Sequence, residues 1–324
     1  MAATAEISPR RWIRTVLNPP TLACLSIYIA SFIYVGSQGG SVEEPLFGLL
    51  ILGLGFSFLA WFATRKATPL VSGTEAIRHD LLLVGVSLVV VCVWLVAGRD
   101  LGANLLPAAW RNIGIVRDLA NVVGKLIAFV LIPVWLFRSV GGATWSGLGF
   151  SLDSARALHG NHLAVVLIVS AAMLVFQYLL GSGAAPLRNG ELSFAQVALG
   201  LPLCFLWLVV EVGLVEEFFF RALLQARLAV WLRSESAGIA VMALLFGLAH
   251  APGYILRGAG EVESVGASPD TLFALSFLII NLSVSAVFLG IVWARTRNLL
   301  ALMLIHAAVD LLPNVDEFVK TWGL

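Results

Sequence analysis

Leu214-Val215-Glu216-Glu217-Phe218-Phe219-Phe220-Arg221 is the stretch on which the reading of this chain turns. It closes an apolar run that begins near Val197. About 20 such residues cross the ~30 Å hydrocarbon core of a bilayer as a helix. An ionised side chain at that depth costs roughly 2.5–3.5 kcal/mol or more unless it faces a cavity or a partner. Two acids and an arginine inside the run therefore need a reason to be there. Glu217 and Arg221 are four apart, so they share a helix face and can pair. Glu216 sits about 100° away around an α-helix. One acid can be held by the arginine while its neighbour faces elsewhere.

The rest of the chain has the same character. Of its 324 residues, 60% are hydrophobic and 12% charged, against about 45–50% and ~25% in soluble domains. Mean hydropathy is +0.95. Apolar blocks place spans near 21–36, 46–64, 81–97, 121–137, 162–180, 197–220, 238–253, 272–294 and 299–313. All are read as helices, because a span in lipid must satisfy its backbone polar groups internally, and the alternation of a barrel strand is absent. The expected fold is all-α: a polytopic membrane helical bundle of roughly 8–9 transmembrane helices. Residues 1–140 are expected to form a block of N-terminal transmembrane helices, and 141–324 a second transmembrane domain that carries polar motifs at 216–221, 246–250 and 306–310.

Loop charge predicts orientation. Arg10, Arg11 and Arg14 precede the first span, which has no small-residue cleavage site after it and reads as uncleaved. Basic loops also follow the second span (Arg65, Lys66, Arg78), the fourth (Arg138, Arg156), the sixth (Arg227, Arg233) and the eighth (Arg295, Arg297). Poorer loops alternate with these, which puts the N-terminus in the cytoplasm and the chain in the cell membrane. The loop at 98–120 carries Arg99, Arg111 and Arg117 against that trend. Its Leu105, Leu106, Trp110, Ile113 and Val116 predict an interfacial amphipathic helix. The segment at 254–270, with Gly258, Gly260, Gly266 and Pro269 beside Gly253, and with Glu261 and Glu263, reads as an exposed loop. Net charge is +1, without the footprint of a nucleic-acid binder. Cys24, Cys92 and Cys204 match no metal spacing and read as small core or lipid-facing residues.

Two histidines complete the polar set: His250 in Phe246-Gly-Leu-Ala-His250, and His306 in His306-Ala-Ala-Val-Asp310. Glu216 lies 17 residues before Arg233 and His250 lies 13 after Ala237, roughly 25 Å and 20 Å from one turn, so the two can meet across a hairpin. His306 is nine residues past Arg297, or roughly 13 Å, and its depth matches if helices six and seven project ~10 Å beyond the membrane. His306 and Asp310 face the same way. Glu216 suits a general base acting on a water, with Glu217 and Arg221 as its fixed scaffold. Alternatively, His250, His306 and Glu216 could be three zinc ligands with water as the fourth, though no His-Glu-x-x-His helix is present. Glu211 lines the same cavity or bonds a neighbouring span. Asn281, Ser283 and Ser285 suit helix–helix contacts, and His79, His159 and His162 carry no assignment.

The three motifs in order, Glu216-Glu217-x-x-x-Arg221, Phe246-x-x-x-His250 and His306-x-x-x-Asp310, resemble the pattern of the CPBP intramembrane proteases. This family, also called Abi, groups type II CAAX prenyl endopeptidases with bacteriocin-processing and immunity proteins. The resemblance covers about residues 195–313, with a fainter echo in Gly147-Leu148-Gly149. It implies an all-helical fold with its site in a membrane-embedded cavity. It also implies a peptidase in which Glu216 and His250 activate the attacking water, His306 and Asp310 stabilise the oxyanion, and Glu217 and Arg221 hold the first motif. An aspartate cannot donate to an oxyanion unless protonated, so Asp310 is expected to be protonated or to orient His306. Zinc is left open, since the family is described both as metalloproteases and as metal-free glutamate enzymes. The expected partners are membrane lipid and a membrane-associated or lipidated peptide. Two other readings fit the same residues. One is a non-catalytic scaffold or immunity protein, which has no need of a base. The other is an ion-coupled transporter, whose repeated halves with broken helices are not found here.

Overall fold

The computed structural model describes residues 17–71, 74–75, 77–256 and 270–324, except for the side chains of Arg99 and Ala103. The Arg10, Arg11 and Arg14 cluster and most of the expected loop at 254–270, with Glu261 and Glu263, lie outside the described residues. The described fold is all-helical and contains no strand. Nine of its helices are long and apolar enough to cross a membrane, and the chain is an integral multi-pass membrane protein. They are α1 Pro19–Ser37, α2 Glu43–Lys66, α3 Asp80–Gly98, α4 Gly114–Ser139, α5 Asn161–Leu180, α6 Phe194–Trp231, α7 Glu235–Ile255, α8 Thr271–Thr296 and α9 Leu299–Trp322.

Each expected span is found, and three, α4, α6 and α9, run at least nine residues longer than hydropathy alone predicts. α6 has 38 residues, or roughly 57 Å at ~1.5 Å per residue, far more than one crossing needs. The continuation past Arg221, in which only Gln225 and Arg227 are polar before Trp231, stays helical and is largely buried. Arg227 is among the largest fully buried side chains, so it is not the loop cation that the charge pattern suggested. The single interfacial helix expected at 98–120 is broken. Helix Arg99–Leu105 stops before Pro107, whose ring disfavours helical geometry in the residue ahead of it, and α4 starts afresh at Gly114.

The chain divides into two compact units, Met1–Ser57 with Leu224–Gly290, and Phe58–Leu223 with Ile291–Leu324. In the first, α1 lies along α7, and Asn18 ties their starts together. Its carboxamide oxygen caps α1 through Thr21 N at 3.0 Å, while its Nδ2 donates to Ser234 and Ser236 Oγ at 3.0 and 2.9 Å. Ser234 in turn caps α7 through Ala237 N. Ser283 faces Gly247 across a helix contact, as expected. Asn281 and Ser285 instead donate to carbonyls of their own helix, Phe277 and Leu282, which satisfies them without a partner helix.

In the second unit, α9 packs on α5 and on the first part of α6, around Cys204, Leu208, Ala307, Leu312 and Val315. Its N-terminus is capped by Asn298, whose Oδ1 accepts from Ala301 N and whose Nδ2 donates to Ser154 O and to His162 Nδ1. The second nitrogen of His162 meets Thr68 O at 3.0 Å. His162, which no motif singled out, is thus a buried latch at the start of α5. Pro313 interrupts α9. It has no N–H to give the carbonyl of Val309, four residues back, and Gln177 of α5 donates to that oxygen instead.

Candidate active site

α6 changes winding where its polar residues lie. Val209–Leu214 and Glu217–Gln225 are π-helical. In that wider coil each N–H bonds the carbonyl five residues back, a form concentrated at functional sites. Glu217 and Arg221 still meet, Nη1 to Oε1 at 3.2 Å, with both side chains wholly buried. The same Oε1 accepts from His306 Nδ1 at 2.5 Å. On the far side of the ring, Nε2 faces Asp310 Oδ2 at 3.6 Å, within ion-pair reach but too long for a hydrogen bond. A carboxylate held by guanidinium and imidazole at once fixes the rotation of the imidazole and directs Nε2 toward Asp310.

Glu216 sits beside this cluster, half-buried, in no hydrogen bond or ion pair among the described residues, and its charge reaches both Arg221 and His306. The second unit therefore brings Glu216, Glu217, Arg221, His306 and Asp310 together. His250 belongs to the first unit. There it ends helix Glu235–Ala249, just ahead of Pro252. Its ring packs on Phe246 at 4.9 Å and its Nδ1 bonds Phe246 O at 2.8 Å.

Helix approach sets the cluster. A Cβ on Gly213 would lie 2.7 Å from Met303 O and 3.1 Å from Met303 Cα. Only glycine lets α6 and α9 touch backbone to backbone, one turn before Glu217 on one helix and one turn before His306 on the other. Gly213→Ala must push the helices apart, since a backbone carbonyl cannot rotate away. The expected cost is about 1–3 kcal/mol, measured by thermal unfolding in detergent, together with loss of any activity that needs the Glu217–His306 contact. Gly149 serves the same face from another side. It adopts φ +87° after fully buried Leu148, and its Cβ position lies 3.0 Å from Ala222 and 3.3 Å from Trp293.

Residue pattern alone missed Gly213, Gln177 and Lys125. Lys125 of α4 pairs with Glu211 at 3.0 Å, and Trp207 Nε1 donates to the other carboxylate oxygen. Glu211 thus bonds a neighbouring span. Among the described residues, no group of three or more His, Cys, Asp or Glu side chains is placed to hold a metal ion.

Residues 198–312 match the model of a protein family described as type II CAAX prenyl endopeptidase Rce1-like. This segment is similar to that family over about a third of the chain. The match takes in all three motifs and agrees with the CPBP resemblance that they carry. No curated protein and no solved structure matches the chain. The matched segment starts in α6 and ends inside α9, so it carries both π-helical segments of α6 and the Glu217–His306 contact.

Proposed function

We propose that the chain is an intramembrane endopeptidase that hydrolyses a peptide bond in a membrane-associated or lipidated peptide, with water activated by Glu216. The observation that supports this most is the Glu217–His306 contact, a buried carboxylate–imidazole pair between two apolar helices. A packing role does not require ionisable groups at that depth.

Glu216 takes a proton from water, and the hydroxide attacks the carbonyl carbon. Charge moves to the carbonyl oxygen. His306, with Nδ1–H given to Glu217, offers Nε2–H to that oxyanion. Asp310, about a third exposed and 3.6 Å from Nε2, orients the imidazole and balances its charge. Collapse of the intermediate breaks the C–N bond, and the proton held by Glu216 passes to the leaving amine. Arg221 keeps Glu217 in place. The family resemblance gives His250 a share in activating the water. Each step uses the chain's own side chains.

The test reconstitutes the full chain in vesicles with a panel of lipid-anchored peptides in ¹⁸O-water and identifies products by mass spectrometry. The expected outcome is cleavage at one bond with a single ¹⁸O in the new carboxylate. Absence of cleavage across prenylated, acylated and transmembrane peptides would reject the assignment.

A further inference from the structure

A cavity of about 150 Å³ opens in the second unit among α4, α6 and α9. Three carboxylates line it, Asp118, Glu211 and Glu317, with no lysine, arginine or histidine in the lining. Two tryptophans line it as well, Trp207 and Trp322, edge to face at 5.1 Å, and Phe318 stacks on Trp322. Lys125, which is not among the lining residues, pairs with Glu211 at 3.0 Å and fixes its carboxylate.

The cavity adjoins the candidate active site. Asn314, in its lining, donates from Nδ2 to Asp310 O at 2.7 Å. The cavity thus begins one helical turn beyond Asp310. Its volume suits a group about the size of benzene. Carboxylates beside aromatic faces favour an organic cation, with the head on the acids and the stem on the rings.

We propose that this cavity is a specificity pocket for a basic side chain on the peptide substrate, an inference that rests on the endopeptidase reading. From Asp310 to Glu317 is about 10 Å along α9, which an extended peptide spans in about three residues. The pocket therefore selects lysine or arginine about three residues from the scissile bond.

The experiment uses the full chain in lipid nanodiscs and lipid-anchored decapeptides in which one lysine, norleucine or glutamate is walked along the sequence. Cleavage is read as kcat/KM, and binding as fluorescence anisotropy of labelled peptides on the Glu216→Gln chain. At one position, lysine should exceed its uncharged isostere norleucine on the order of tenfold in both readouts. In Glu317→Lys that ratio should collapse toward one, and glutamate should become the preferred residue. Equal handling of lysine and norleucine at every position, with cleavage intact, overturns the pocket and leaves the peptidase. A lysine preference in binding that Glu317→Lys removes, with no cleavage of any peptide, keeps the pocket and rejects the peptidase. Failure in both readouts rejects both.

Discussion

Glu217→Gln is expected to cost the fold about 3–5 kcal/mol, the usual result of removing one partner from a buried ion pair. Its carboxylate is wholly buried and serves two cations or donors at once, Arg221 at 3.2 Å and His306 at 2.5 Å. An amide keeps the size but loses the charge, and the fully buried guanidinium of Arg221 then loses the carboxylate 3.2 Å from it. In thermal unfolding in detergent, Glu217→Gln should melt several degrees below the parent protein. Adding Arg221→Met should restore part of the loss, because deleting both members of a buried pair is often neutral or stabilising. An unchanged midpoint in the single variant would show that the pair contributes little to the fold, and Glu217 would then lose its scaffold role.

Glu216→Gln should have the opposite signature. Glu216 is half-buried, makes no ion pair among the described residues and changes to a residue of the same shape, so stability should move by no more than about 0.5 kcal/mol. As the proposed general base, its loss should lower kcat by about 10²–10⁴-fold, with KM little changed. Kinetics on whichever lipid-anchored peptide the parent protein cuts best would decide the matter. Cleavage within tenfold of the parent would move the base elsewhere. Two adjacent glutamates would thus divide the work, one holding the fold and the other moving the proton.

Much of this protein was legible without coordinates. Apolar runs marked all nine membrane-length helices among the described residues, because a lipid-facing helix must be apolar on nearly every face. The pairs Glu217–Arg221 and His306–Asp310 could be read too, since each lies within one helix at a spacing of four, where local winding decides contact. The breaks were less legible. Pro107 divides a segment read as one amphipathic helix. The orphan carbonyl that Pro313 leaves at Val309 follows from the sequence, but its donor, Gln177, is 132 positions away.

What the sequence by itself determined was an all-helical membrane protein and three short polar motifs, each on its own helix face, because helical periodicity is set by near neighbours. Only the tertiary structure decided that His306 binds Glu217 across 89 positions, that Gly213 lets Met303 approach, that Glu211 answers Lys125, and that Arg227 turns inward. Those depend on how far two helices slide and turn against each other. That register is settled by small residues and buried charge pairs acting between helices, and no periodicity along one segment records it.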